Sequence, residues 1–136
     1  MAKEKSCGII LFRRANDDLY FLLLHYKSGH WDFSKGHVEA GEEEKGTAAR
    51  ELTEETGIKD INFVEGFREP VSYFFRREKE TVSKDVIFYL AETESEKVKI
   101  SYEHIGHKWL NYEDSLKKLT FENSREILKK AMVLLS

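Results

Sequence analysis

The chain has 136 residues, a length that suits one domain spanning 1–136. Its 22 Lys+Arg against 25 Asp+Glu leave a net charge of −3, with no basic excess for duplex nucleic acid, and 40% hydrophobic residues argue against disorder. One cysteine, Cys7, excludes an internal disulfide and a multi-cysteine metal centre. No stretch approaches the roughly 20 apolar residues of a membrane span, so the expectation is a soluble, cytoplasmic protein of a reducing compartment. Short apolar runs at 8–12 and 19–24, separated by Asn16, Asp17 and Asp18, read as two buried strands around a polar turn. Further strands are predicted at 63–67, 71–76 and 86–91, with a polar hairpin tip at 77–81, and a short one at 108–110. Helical spacing marks 43–56, where Ala48, Ala49 and Leu52 share a side and Gly57 stands at the C′ position. It recurs over 122–135 through Ile127, Leu128, Ala131, Leu134 and Leu135, and 111–118 reads as a short helix. Strands flanking helices imply an α/β fold, a mixed sheet held between helices.

The first of those helices breaks local rules. Glu42, Glu43 and Glu44 lie at its N-terminal end, where the macrodipole favours carboxylates. Glu51, Glu54 and Glu55 lie in its last turns and, three and four residues apart, crowd one face. A divalent cation between them is the economical remedy. Hard oxygen ligands without histidine suit Mg²⁺ or Mn²⁺ better than Zn²⁺. Arg50, four residues before Glu54, is placed to orient that ligand, and Gly36 lets a backbone carbonyl approach a metal. Glu-rich helix faces are also ordinary solvated surface, so charge pattern alone leaves both readings open.

Gly36, five residues, Glu42, seven residues, Arg50-Glu51-Leu52, one residue, Glu54-Glu55, one residue and Gly57-Ile58 resemble the Nudix box at every fixed position. The resemblance implies an α/β/α sandwich and hydrolysis of a nucleoside diphosphate linked to another group. It implies that Glu51, Glu54 and Glu55 hold Mg²⁺ and that Arg50 orients them.

The chain around the box resembles the asymmetrical diadenosine tetraphosphate hydrolases. The shared pieces include 7–14, 21–24, His30-Trp31, 35–39, Glu65-Gly66-Phe67, Lys84 with 86–92, and Ser101-Tyr102-Glu103-His104 through Trp109-Leu110. This likeness implies a small nucleotide substrate, phosphate contacts from Lys35, His37 and Lys84, and an adenine held between Tyr73 and Phe121. It implies that Glu103 is a further carboxylate reaching the metal cluster or activating water, and that the chain is a monomer. Each of these has a plainer reading: solvated lysines, core aromatics, a loop surface charge. Ser34 departs from the proline of many relatives, and without that stiff ring Lys35 is expected to be less firmly placed. The turn at 14–19 is shorter than in the animal enzymes. Cys7, in a buried strand, reads as packing rather than nucleophile.

The expected reaction is attack of water on one phosphorus, with Glu54 or Glu103 taking the proton, giving ATP and AMP from diadenosine tetraphosphate. Another Nudix substrate (an RNA 5′ end, a nucleoside triphosphate, a nucleotide sugar) and a non-catalytic nucleotide sensor remain as alternatives. A sensor is expected to lack a box glutamate, and none is missing.

Overall fold

The computed structural model describes residues 2–136 and opens on a long strand, β1 (Ala2–Ala15), followed by β2 (Asp18–Tyr26). Asn16 and Asp17 between them take φ of 53° and 63°, the left-handed conformation that a two-residue hairpin turn requires and that Asn and Asp tolerate. Two short strands, β3 (Trp31–Asp32) and β4 (Ser34–His37), lead to helix α1 (Glu44–Thr56). The hairpin β5 (Ile61–Arg77) and β6 (Glu80–Thr93) follows, then β7 (His104–Leu110), α2 (Tyr112–Lys118) and α3 (Glu122–Leu135).

The seven strands form one mixed sheet in the order β3-β2-β1-β6-β5, with β4 also on β1 and β7 also on β2. Only β1 and β6 run parallel. Alternation along the central strands feeds two cores. Ile10, Phe12, Phe21, Leu23, Val86, Phe88 and Leu90 meet Ile127, Leu128 and Ala131 of α3. Cys7, Ile9, Leu11, Leu22, Leu24, Ile87 and Ala91 meet Ala48 and Leu52 of α1 on the other face. Burial on both faces is why these strands read as continuous apolar runs. Leu52 is wholly buried, a contribution of about 1.5–3 kcal/mol. The expected α/β/α sandwich is thus present.

Several boundaries differ. The strands expected at 63–67 and 71–76 are one bent strand, kinked by a register shift between Phe63 and Arg68 where Gly66 takes φ 89°. Pro70 is accommodated because β5 is an edge strand. The first helix begins at Glu44, with Glu43 as its N-cap, and ends as expected at Gly57, whose φ of 78° lets its N–H donate to Thr53 O. The turn expected at 77–81 contracts to Glu78 and Lys79. The short strands β3 and β4 were not expected, and β4 carries much of the site. Among the described residues no helix is long and apolar enough to cross a membrane.

Candidate active site

Pairing of β4 with β1 sets Gly36 opposite Cys7 and presses it against α1. A Cβ added at Gly36 would lie 1.9 Å from Glu51 Cδ and 2.2–2.3 Å from its oxygens. The Glu51 carboxylate therefore fills the space that glycine leaves open.

Arg50 organises one side of the helix. Its Nε donates to Glu42 Oε2 at 2.6 Å, Nη1 to Glu51 Oε1 and Glu54 Oε1 at 3.0 and 3.1 Å, and Nη2 to His37 O. The Arg50–Glu54 pairing expected four residues apart is formed. Glu42 does more than favour the helix start. It also accepts from Glu39 N and Thr47 Oγ1, and its bonds, led by Arg50, hold its carboxyl well below the usual range.

Glu55 is in a different environment. It is 3% exposed, with Oε1 accepting from Ser34 Oγ at 2.5 Å and Lys35 N at 3.1 Å. His104 Nε2, also buried, lies 3.5 Å from Oε2 and makes no hydrogen bond. Burial pushes Glu55 up to about 8, against the Ser34 hydrogen bond. Burial also raises Glu51, against the Arg50 guanidinium. Ser34 therefore acts opposite to expectation: its side chain anchors the segment to Glu55 instead of loosening Lys35.

Two cavities flank this arrangement. A cleft of about 370 Å³ is lined by Tyr26, Lys35, Gly36, His37, Glu51, Lys84 and Glu103. A second cavity, about 420 Å³, is walled by His30, Tyr73, Phe74, Phe75 and Phe121, again with Lys35 and Lys84. Tyr73 and Lys84 are cross-strand partners, which sets both on one face of the β5–β6 hairpin. The Lys35 ammonium lies 6.0 Å from the Tyr73 ring centroid. Burial lowers Lys84, and the nearby Lys35 charge adds to this. Phe121 caps α3 at 39% exposure, its ring 5.2 Å from that of His30. Phe74, 67% exposed, projects most freely. His37 is largely exposed, 3.7 Å from Glu4.

The candidate catalytic, metal-holding and substrate-contacting residues thus each lie on α1 or line one or both cavities. The structure adds Asp32, Ser34, His30, Tyr26 and His104. Asp32 and Tyr26 had no signal of their own, Ser34 was noted only for the proline it replaces, and His30 and His104 stood inside the resembling segments. Trp31 packs at the edge of the α3-side core, stacked 4.3 Å from His25.

The donor chemistry around Gly36 fits a hard divalent cation: carboxylate oxygens of Glu51, Glu54, Glu55 and Glu103 and the Gly36 carbonyl. The glutamates are not gathered into a ready cage. Among the described residues no three carboxylate, imidazole or thiol groups are placed to hold a metal together, and Arg50 draws Glu51 and Glu54 to itself.

The NUDIX domain profile matches residues 2–131. The asymmetrical bis(5'-nucleosyl)-tetraphosphatase of Mus musculus is 37% identical over 137 residues, covering 92% of this chain and 90% of the mouse protein. The Caenorhabditis elegans protein of the same name is 32% identical over 131 residues, with 93% and 92% covered. A crystal structure of C. elegans Ap4A hydrolase in a binary complex matches with a TM-score of 0.86 at 30% identity, covering 97% of each chain. With a complete box on a helix of this fold, the chain belongs to the NUDIX domain family.

Proposed function

We propose that the chain hydrolyses diadenosine tetraphosphate to ATP and AMP, with Mg²⁺ as its working ion and Mn²⁺ able to replace it. The observation that carries this reading is the pair of cavities joined through Lys35 and Lys84. One is aromatic, as a base requires, and the other is lined by carboxylates, as a metal-assisted phosphoryl transfer requires. Two lysines at the junction suit the polyanion between them. The named activity of the mouse and C. elegans relatives supports the same substrate.

Tyr73 and Phe121 would hold one adenine, and Lys35, Lys84 and His37 would take the phosphates. Glu51, Glu54, Glu55, Glu103 and the Gly36 carbonyl would hold a divalent cation, which when bound would supply charge neutralisation and a more acidic water. Glu54 or Glu103 accepts the proton as the water oxygen bonds to phosphorus and the bridging P–O bond breaks, its electron pair leaving with the departing nucleotide. Lys35 and Lys84 offset charge developing on the transferred and leaving groups. The lone, buried Cys7 suits a reducing compartment, so we infer action in the cytoplasm.

Incubation with diadenosine tetraphosphate and Mg²⁺, followed by ion-exchange chromatography, is expected to give equimolar ATP and AMP, with turnover lost in EDTA. ADP as sole product, or no turnover, would overturn the assignment. In the same assay Gly36→Ala is expected to reduce kcat/KM by about 100-fold, because the new Cβ must displace the Glu51 carboxylate by an ångström or more. The displaced group is the end of a flexible side chain, so melting should barely change. Native kcat/KM in this variant would show that the position of Glu51 is immaterial.

A further inference from the structure

Asp32 is fully buried at the end of β3, and its carboxylate meets three donors from separate parts of the structure. Oδ1 accepts from Phe33 N and from Ser124 Oγ, each at 2.8 Å. Oδ2 accepts from Lys35 Nζ, also at 2.8 Å. Ser124 lies in the first turn of α3, next to the Phe121 cap. Lys35 lines both cavities. One buried anion therefore joins the cation at their junction to the helix end that carries an aromatic wall.

A buried carboxylate is tolerated only when it is paired and its remaining lone pairs are satisfied, and Lys35 supplies the charge. The pairing restrains a side chain that is otherwise free to sample many rotamers. It also opposes the repulsion between Lys35 and Lys84, which share the junction.

We propose that Asp32 is a positioning residue. It fixes the Lys35 ammonium at the junction and ties it, through Ser124, to the wall bearing Phe121, so that base and phosphate are gripped as one unit. This rests on the dinucleotide reading above, and Asp32 itself touches no substrate.

The test uses AMP and adenosine as probes, titrated in EDTA and followed by NMR, so that neither metal nor turnover enters. Asp32→Asn keeps the acceptor for Phe33 N and Ser124 Oγ but loses the anionic oxygen facing Lys35. It is expected to weaken AMP about tenfold and adenosine by less than about twofold. In turnover, kcat/KM should fall about tenfold or more, with KM raised and kcat lowered, because Lys35 both holds the phosphates and offsets the charge that develops on them. In a Lys35→Ala background Asp32→Asn should add less than about twofold for AMP, since the side chain it places is gone.

An unchanged AMP affinity in Asp32→Asn would overturn the proposal. So would equal weakening of AMP and adenosine, or a full tenfold loss in the Lys35→Ala background, because Asp32 would then act through the fold at large. Should Asp32→Asn not fold, Ser124→Ala decides. It cuts the tie to α3 and must weaken adenosine and AMP alike, by about threefold, and unchanged affinities overturn the proposal. Failure of the native chain to bind AMP would overturn the substrate reading and this inference with it. Native binding that the variants leave intact overturns this inference alone.

Discussion

Glu54→Gln is expected to lower kcat for diadenosine tetraphosphate by about 1,000-fold while leaving the melting temperature within about 2 °C of the native value. Glu54 is the most informative of the three helix glutamates because least of the fold depends on it. Its side chain is 58% exposed, and its one cationic partner is Arg50, at 3.1 Å. Glutamine keeps an oxygen for that guanidinium and nearly the same shape, so the variant removes charge and little else. An exposed pair of this kind contributes at most about 1 kcal/mol. Glu55 is less clean: it is buried against Ser34 and His104, and replacing it alters packing and charge together. If Glu54→Gln turned over normally, the proton-acceptor and metal-ligand roles proposed for Glu54 would both fall. Glu103, which lines the same cleft as Glu51, would then be the remaining candidate base.

The parts legible in the sequence are those whose physics is local. The apolar runs at 8–12, 19–24 and 86–91 became the middles of β1, β2 and β6, since strands buried on both faces need apolar side chains at every position. The ends of the same strands were not legible. Ala2 to Lys5 pairs with Val82 to Asp85 in parallel register, through backbone groups that leave little mark on side-chain pattern. No break occurs between 67 and 71: β5 runs through Pro70 in continuous register, and its irregularity lies earlier, between Phe63 and Arg68, around Gly66.

The site divides along the same line. The charge conflict at Glu51, Glu54 and Glu55 lies within two helical turns and is visible in the sequence itself. The nucleotide contacts at Lys35, Lys84, Tyr73 and Phe121 came through family resemblance, and the structure gathers them around one cavity. Ser34 and Asp32 were missed or misjudged because their partners are distant in the chain. Ser34 bonds Glu55 across 21 positions, and Asp32 bonds Ser124 across 92. Side chains placed by such contacts carry no periodicity and no motif.

In EDTA the protein is expected to become less stable as pH rises from 6.5 to 9, and Glu55 is the cause. Its carboxyl titrates at about 8 when folded, against an ordinary value of 4.5. Between those values the native state holds a proton that the unfolded chain has released, so stability falls with rising pH. The contribution is complete below 4.5 and is lost as pH passes through 8. The other shifted groups define where it can be seen alone. Glu42 and Glu44 are depressed and matter only in acid. His30 and His104 are depressed by burial, so their contribution runs the opposite way and is complete above 6.5. Burial raises the Cys7 thiol above its usual 9.0, so it enters only beyond the window. From 6.5 to 9 the loss amounts to about 2 kcal/mol, or about 5 °C in melting temperature. Glu55→Gln, which keeps an acceptor for Ser34 Oγ and Lys35 N without titrating, should flatten the profile. Excess Mg²⁺ should also oppose the loss, since a cation binds the ionised carboxylates and not the protonated ones. A native profile flat from 6.5 to 9 in EDTA would mean that Glu55 is ionised throughout. The same slope in Glu55→Gln would assign the proton to another group, of which Glu51, also raised by burial and adjacent to Gly36, is the first to examine.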